Sequence, residues 1–431
     1  MKKVIQHETL ILSPLLLIYC FYVLLKEKSG LSLDEPTYLL YARNLINGFY
    51  VPKGTTFLWA GPGYPIILAV FEKFDLPDIY QKLFNAIFLY GSLLCIYYSI
   101  RLFAKKNYAL ILTSLFGFYY PYYLMLPYRM TEVFVILLIS VIVLYINKWA
   151  EEPSKITYKI VLILALVWLM LTKIIFGYVI AGLLILFIIT FLIKHKHKYL
   201  KLIFITFLSI ITISPYLYFT YQLTGNFFYW GTSGGLTLYW MSSPYAEEYG
   251  DFINFFYEPS NDHSKNQLFR MRHEENITKA IGEISLFETL NYEELPTKLG
   301  VAQDQKFKRM AIKNIKGHPI KYIKNILSNG LRMIFNFPYS YRENPLNLKL
   351  IICNSILLLF FFLSSLKLLR KNKNIDSADL FLLSFTLIYL GGSMLLSATT
   401  RQFYIISPIL LFFIGKYFCI QFPYFRREHS V

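Results

Sequence analysis

Two adjacent carboxylates, Asp34 and Glu35, follow the first long apolar segment of this 431-residue chain. Other ionisable side chains stand at the ends of later apolar runs: Arg129 and Glu132, three positions apart, then Lys173, then Arg401. The middles of those runs are almost free of charge. A proton- or ion-coupled transporter needs intramembrane carboxylates or broken helices. Charges gathered at helix ends instead suit an enzyme that handles an anionic lipid headgroup from outside the membrane. An acidic pair at the membrane rim, between a spanning helix and a surface helix, is a place for chemistry on a lipid-linked substrate.

Hydropathy defines the elements that would carry these residues. The chain is 56% hydrophobic and 18% aromatic, and repeated apolar runs of about 20 residues define an all-α polytopic membrane protein. Spans are expected near residues 9–25, 79–101, 108–127, 131–147, 157–172, 174–193, 199–219, 348–368, 379–397 and 402–420. A single helix over the 38 residues from Ile156 to Ile193 would extend roughly 57 Å, against a hydrocarbon core of about 30 Å. The run must therefore turn near Thr172 to Gly177, with Lys173 at the tip. Between the first two spans, Tyr38, Tyr41, Ala42, Leu45 and Ile46 recur at helical spacing, and Asn47-Gly48 stops that helix. The turn Gly61-Pro62-Gly63-Tyr64-Pro65 leads into a second short apolar run, Ile66 to Phe71. Both runs are too short to cross a bilayer and are expected along its surface.

Charge orients the set. With the N-terminus inside, the connections holding Arg101 to Lys106, Lys148 to Lys159, Lys194 to Lys201 and Lys367 to Lys373, and the tail with Arg426-Arg427, all fall inside, and all are basic. About ten spans with both termini inside follow. The chain then divides into an N-terminal transmembrane module, residues 1–220, whose first loop covers 26–78; an extracytoplasmic domain, 221–347; and C-terminal transmembrane helices, 348–431. Within the long outer segment, Glu247 to Glu294 is acid-rich and Lys298 to Arg332 is basic. The basic half reads either as an amphipathic helix on anionic lipid or as a guide for a phosphorylated lipid. The formal charge of +17 is accounted for largely by membrane topology and anionic headgroups, so no nucleic-acid partner is expected. The cysteines form no CxxC pair, and His263, His273 and His318 lack ligand spacing and read as surface residues.

The order Asp34-Glu35, then Tyr38 to Leu45, then Pro62-Gly63-Tyr64-Pro65 resembles the first extracytoplasmic loop of the GT-C membrane glycosyltransferases. The likeness is to glycosyltransferase family 39, with the protein mannosyltransferases, and to the aminoarabinose-transferase-like group. Leu171-Thr172-Lys173 resembles the family's Leu-Thr-Arg signature, and Thr400-Arg401-Gln402-Phe403-Tyr404 with Pro408 resembles the start of its last helix. Thr131-Glu132 resembles the family's opening of the fourth helix. Segments at 214–239 and at Gly317-His318-Pro319 with Tyr322 and Arg332 are similar to its flanking and juxtamembrane segments.

The resemblance implies a GT-C bundle whose first-loop helix pair and outer segment face the extracytoplasmic side of the plasma membrane. It also implies inverting transfer of a sugar from a polyprenyl-phosphate donor to a lipid, glycan or protein acceptor. Asp34 matches the family's base. Glu35 stands beside it as a second catalytic candidate, and Lys173, Arg401, Arg129, Glu132 and Tyr64 as substrate-binding candidates. Each has a plainer reading. Glu35 reads as the helix cap with Asp34 just outside it, since Pro36 suits the first helical position. Lys173 reads as a snorkelling residue and Arg401 as an interfacial anchor, and Arg129 and Glu132 as partners one helical turn apart. Some family members place an acid and a lysine before the Pro turn, where they serve metal and phosphate. Here Trp59-Ala60-Gly61 stand there without a charge, so metal dependence through that position is not expected; a divalent metal is kept only as an alternative, and no cofactor or metal ligand is assigned. The rival functions are a transporter or flippase of lipid-linked sugars and a glycan ligase or polymerase.

Overall fold

A computed structural model describes residues 2–26, 34–282, 286–287, 294–342, 346–371 and 376–427. Ser32 at the head of the first loop, Glu283, Glu288 and Glu293 of the acid-rich stretch, and Lys373 of the basic connection lie outside the described residues. The protein is an all-α polytopic membrane protein, and its helices track the apolar runs. The first module holds α1 (Lys2–Leu25), α2 (Glu35–Ile46), α3 (Gly63–Lys73), α4 (Asp78–Arg101), α5 (Lys106–Gly117), α6 (Tyr120–Met125), α7 (Thr131–Glu151), α8 (Ile156–Thr172), α9 (Ile175–Lys194), α10 (His197–Thr212) and α11 (Ser214–Thr224). The long polar segment adds α12 (Gly234–Met241), α13 (His263–Ile281), α14 (Leu295–Lys298), α15 (Val301–Gly317) and α16 (Pro319–Phe335). The chain closes with α17 (Leu348–Lys371), α18 (Ser377–Met394), α19 (Thr400–Tyr404) and α20 (Ser407–Gln421).

Each span expected from hydropathy falls on a helix or on two consecutive helices. Among the described residues, α4, α7, α9, α17 and α18 are by themselves long and apolar enough to cross a membrane, and α10 with α11 forms a sixth such unit, bent by 49°. Three expected spans are broken where the sequence reading ran them straight, one being 199–219, divided at Ile213 into α10 and α11. The span at 108–127 divides into α5 and α6, because Pro121 has no N–H to donate to the Gly117 carbonyl; Gly117 itself packs so closely on α1 that a Cβ there would lie 2.7 Å from Leu15 Cδ1. The freed Gly117 carbonyl accepts from Tyr19 Oη at 2.6 Å, and Pro121 opens the next helix. The span at 402–420 divides at Ile406, since Pro408, lacking an N–H, opens α20. Arg401 therefore lies on the separate turn α19, not on the last helix itself. Helix α4 packs on α7, α7 on α8, and α17 on α20, while α2 and α3 pack together and α3 rests on α8.

The basic half of the polar segment is two helices, divided at His318-Pro319. On α16, Ile320, Ile323, Leu327 and Leu331 are exposed on one stripe, whereas Asn325, Asn329 and Arg332 are fully buried on the other face.

Candidate active site

Four ionisable side chains from distant parts of the chain meet at one end of the bundle. Arg401 Nη1 donates to Asp34 Oδ2 at 3.0 Å and lies 3.8 Å from Glu132 Oε1. Lys173 Nζ donates to the same Glu132 oxygen at 2.9 Å. Glu132 is 1% exposed, Lys173 18%, Arg401 24% and Asp34 34%. A buried acid thus backs two cations, which share a cavity of about 300 Å³ with Asp34. Trp59, Ile174, Tyr178 and Phe252 give that cavity an apolar wall, and Ser233, Thr237, Ser397 and Thr399 bring hydroxyls to it. At this size and composition it is an ordinary small-molecule site: mostly apolar, with a few convergent polar groups.

Local sequence explains each placement. Gly61 and Gly63 let the first-loop turn settle on the end of α8: a Cβ at Gly61 would stand 2.0 Å from the Leu171 carbonyl oxygen, and one at Gly63 2.5 Å from Thr172 Oγ1. Trp168 Nε1 donates to the Gly63 carbonyl at 3.0 Å. The break that carries Lys173 is therefore held directly by the Gly-Pro-Gly turn. Tyrosines fix the segment 57–60 leading to it. Tyr41 Oη donates to Phe57 O at 3.1 Å and accepts from Trp59 N at 2.8 Å, and Tyr50 Oη donates to Ala60 O at 2.6 Å. Thr232 N donates to Leu58 O at 2.8 Å, and so ties the long polar segment to these same residues. Arg401 is set by a capping box at α19, in which Thr399 and Gln402 bond each other's backbone and side-chain groups.

The placements of Glu35, Asp34, Arg129 and Tyr64 correct the sequence reading. Asp34, not Glu35, occupies the cap position of α2, and its carboxylate makes no capping bond. It turns instead to Arg401, and among the described residues its hydrogen bonding uses Oδ2 alone. Glu35 lies off the cavity: its Oε1 accepts from the Arg129 backbone N at 2.8 Å and from Arg129 Nε at 3.3 Å, with both side chains buried. Arg129 also pairs with Asp78 at 2.7 Å. Arg129 and Glu132 do not pair with each other, because α7 begins at Thr131 and Arg129 precedes it in extended chain, where helical spacing has no meaning. Tyr64 lies in the packing, with its ring edge-on to Tyr38 at 5.6 Å, and does not line the cavity. Of the seven candidates, Asp34, Lys173 and Arg401 line the cavity, Glu132 supports it from behind, and Glu35, Arg129 and Tyr64 lie off it.

Sequence reasoning passed over Ser397 and Thr399, which reach the cavity from the connection between α18 and α19, and Gln402 on α19 itself. The signal was available: Ser393, Ser397, Thr399 and Thr400 form a polar run inside an otherwise apolar stretch. The cavity acids also bear on a metal. Asp34 and Glu132 are each engaged by a cation, and among the described residues no group of three or more His, Cys, Asp or Glu stands together. A Mg²⁺-type ion needs only one or two carboxylates beside waters and substrate phosphate, and here both acids are already paired with Arg401 and Lys173.

His273 departs from its expected surface position. It is buried against Tyr239 and Trp240, and its Nε2 lies 3.0 Å from Glu248 Oε1. Glu248 also accepts from Ser243, Arg272 and Tyr341. Burial alone would raise its pKa, but these bonds, led by that from His273, hold the carboxyl down to about 2. The cluster braces the polar segment beneath α16, where Asn325 donates to Met241 O and Ser243 O at 3.0 Å each.

No family model matches the sequence, and no curated protein matches it. Solved structures do. The apo oligosaccharyltransferase of Archaeoglobus fulgidus superposes with a TM-score of 0.52 at 12% identity, covering 97% of this chain and 51% of that one. ArnT from Cupriavidus metallidurans, bound to undecaprenyl phosphate, aligns over 95% of this chain and 76% of its own at 13% identity, with a TM-score of 0.41. Over 97% of its length the chain has the fold of the matched part of the archaeal oligosaccharyltransferase, and no more than the fold is shared at 12% identity. At these identities the likeness is one of fold, and the chain spans about half the length of the archaeal enzyme.

Proposed function

We propose that this protein is an inverting membrane glycosyltransferase that moves a sugar from a polyprenyl-phosphate donor to an acceptor hydroxyl on the extracytoplasmic face. The observation that carries the reading is the joining of Asp34, Lys173 and Arg401 on one cavity of about 300 Å³, set at the rim of a GT-C bundle. The acceptor oxygen attacks the sugar C1 as the bond from C1 to the phosphate oxygen breaks. The acceptor proton passes to Asp34, and the polyprenyl phosphate leaves with the bonding electrons. Lys173 and Arg401 stabilise the charge that grows on the departing phosphate. Glu132 holds both cations, and the Glu35–Arg129–Asp78 chain fixes the head of α2, from which Asp34 projects. In the division read from the sequence, the first loop supplies the base and 221–347 covers the site from outside.

The test is Asp34→Asn, assayed for transfer from a panel of labelled polyprenyl-phosphate sugars. Asn keeps the size of the side chain and can still occupy a helix cap, but it takes up no proton at neutral pH. Loss of a general base costs about 10²–10⁴ in rate, so turnover should nearly vanish while polyprenyl phosphate still binds. Turnover close to wild type removes Asp34 from the mechanism, whereas absence of transfer by the wild type from every donor of the panel favours a transporter of lipid-linked sugars.

A further inference from the structure

Helix α18 ends at Met394 and α19 begins at Thr400, so five residues cross the end of the bundle without a helix's own hydrogen bonds. Buried backbone groups need partners, and α16 supplies them. Asn329, fully buried, donates from Nδ2 to the carbonyls of Ser393 at 3.2 Å and Met394 at 3.0 Å, and to that of Leu396. Its Oδ1 accepts from Ala398 N at 2.9 Å and from Arg332 Nη2 at 2.7 Å. Arg332 Nε then donates to Ala398 O at 3.2 Å. Arg332 is fully buried too, and its remaining nitrogens go to the carbonyls of Tyr249, Pro338 and Gly250. This connection leads directly into the capping box that sets Arg401.

We propose that Asn329 and Arg332 are positioning residues for Arg401, fixing the course of 393–399 so that the guanidinium faces Asp34 and the donor phosphate. The primary amide fits the task because it offers two donors and an acceptor without charge, where a carboxylate would oppose the three carbonyls. The pairing of Asp34 with Arg401 spans 367 positions of sequence, and neither residue's own helix sets it alone. The connection is aimed from α16, an element of the polar segment. The phosphate part of this inference rests on the glycosyltransferase reading; the aiming of Arg401 does not.

The experiment uses the full chain in detergent, with Asn329→Ala and the milder Arg332→Lys. Three measurements are made: amide hydrogen exchange, labelling of Arg401 by phenylglyoxal with site mapping, and affinity for undecaprenyl monophosphate. Both variants should exchange at least tenfold faster over 395–401 while α4 and α7 keep wild-type protection. Arg401 should label severalfold faster once its hold on Asp34 loosens, and undecaprenyl phosphate should bind about tenfold more weakly. Added to Arg401→Gln, Asn329→Ala should cost no further affinity, which a merely structural role would not produce. Unchanged labelling of Arg401, equal loss of protection in every helix of both variants, or additive affinity losses each overturn the proposal. If wild type binds no polyprenyl phosphate, the glycosyltransferase reading fails, and exchange and labelling still decide whether Asn329 and Arg332 aim Arg401.

Discussion

Replacing Glu132 by Gln separates two roles that the geometry gives this side chain. Its Oε1 holds Lys173 at 2.9 Å and stands 3.8 Å from Arg401, so it orients both cations and also competes with any anion for them. Asp34, Glu132, Lys173 and Arg401 together carry no net charge, and Glu132→Gln leaves a net charge of +1. The lost bond from a lysine ammonium to a carboxylate is worth about 1.5–3 kcal/mol. Lys173 and Arg401 are partly exposed, so solvent screens them and the lower end of that range applies. A phosphate brought to the two cations no longer displaces the acid, and recovers about 1.4 kcal/mol or more, a tenfold gain in affinity. The same change loosens Lys173 and Arg401, so the chemical step should slow by about tenfold. Calorimetric titration of the purified protein with undecaprenyl phosphate gives the first quantity, and single-turnover transfer gives the second. Weaker phosphate binding by Glu132→Gln refutes the reasoning, because the acid and the phosphate would then not share the same cations.

Three other outcomes are expected. Gly61→Ala places a methyl group 2.0 Å from the Leu171 backbone oxygen; the turn must move, at a cost of about 1–3 kcal/mol, so a lower melting midpoint and weaker phosphate binding should appear together, and a wild-type midpoint rules the contact out. Glu248 is held at about 2, below its ordinary 4.5, so it stabilises the fold above pH 4.5 and that contribution, on the order of 3 kcal/mol, drains away as the pH falls through 2; Glu248→Gln should melt lower than wild type at pH 7, and the gap should narrow below pH 4.5 and close only as the pH passes below about 2. For orientation, a cysteine at Asn261 should react with an impermeant thiol reagent in intact cells and one at Asn372 should not; the reverse pattern places the cavity on the cytoplasmic side.

What the sequence disclosed and what it withheld divide along a physical line. Hydropathy and length act locally, so the spans, the turn at Lys173 and the helix from Glu35 to Ile46 are legible residue by residue. The breaks at Gly117 and Ile406 carry a local mark too, Pro121 and Pro408, inside runs whose apolar character continues across them. Partner choice among charges is not local at all. Arg129 and Glu132 invited pairing through their spacing, and the structure separates them because one stands outside the helix. Glu35 and Asp34 are neighbours in sequence and point to different partners, Arg129 and Arg401, since successive positions at a helix head leave it in different directions. The cavity therefore draws Asp34 from the first loop, Lys173 from a hairpin tip and Arg401 from a capped turn. Each of these supports is a kink, a close approach or a short helix end, where pattern is weakest. A site assembled from the ends of elements takes its shape from long-range backbone contacts, and Asn329, buried on an otherwise ordinary amphipathic helix, is the residue on which several of those contacts converge.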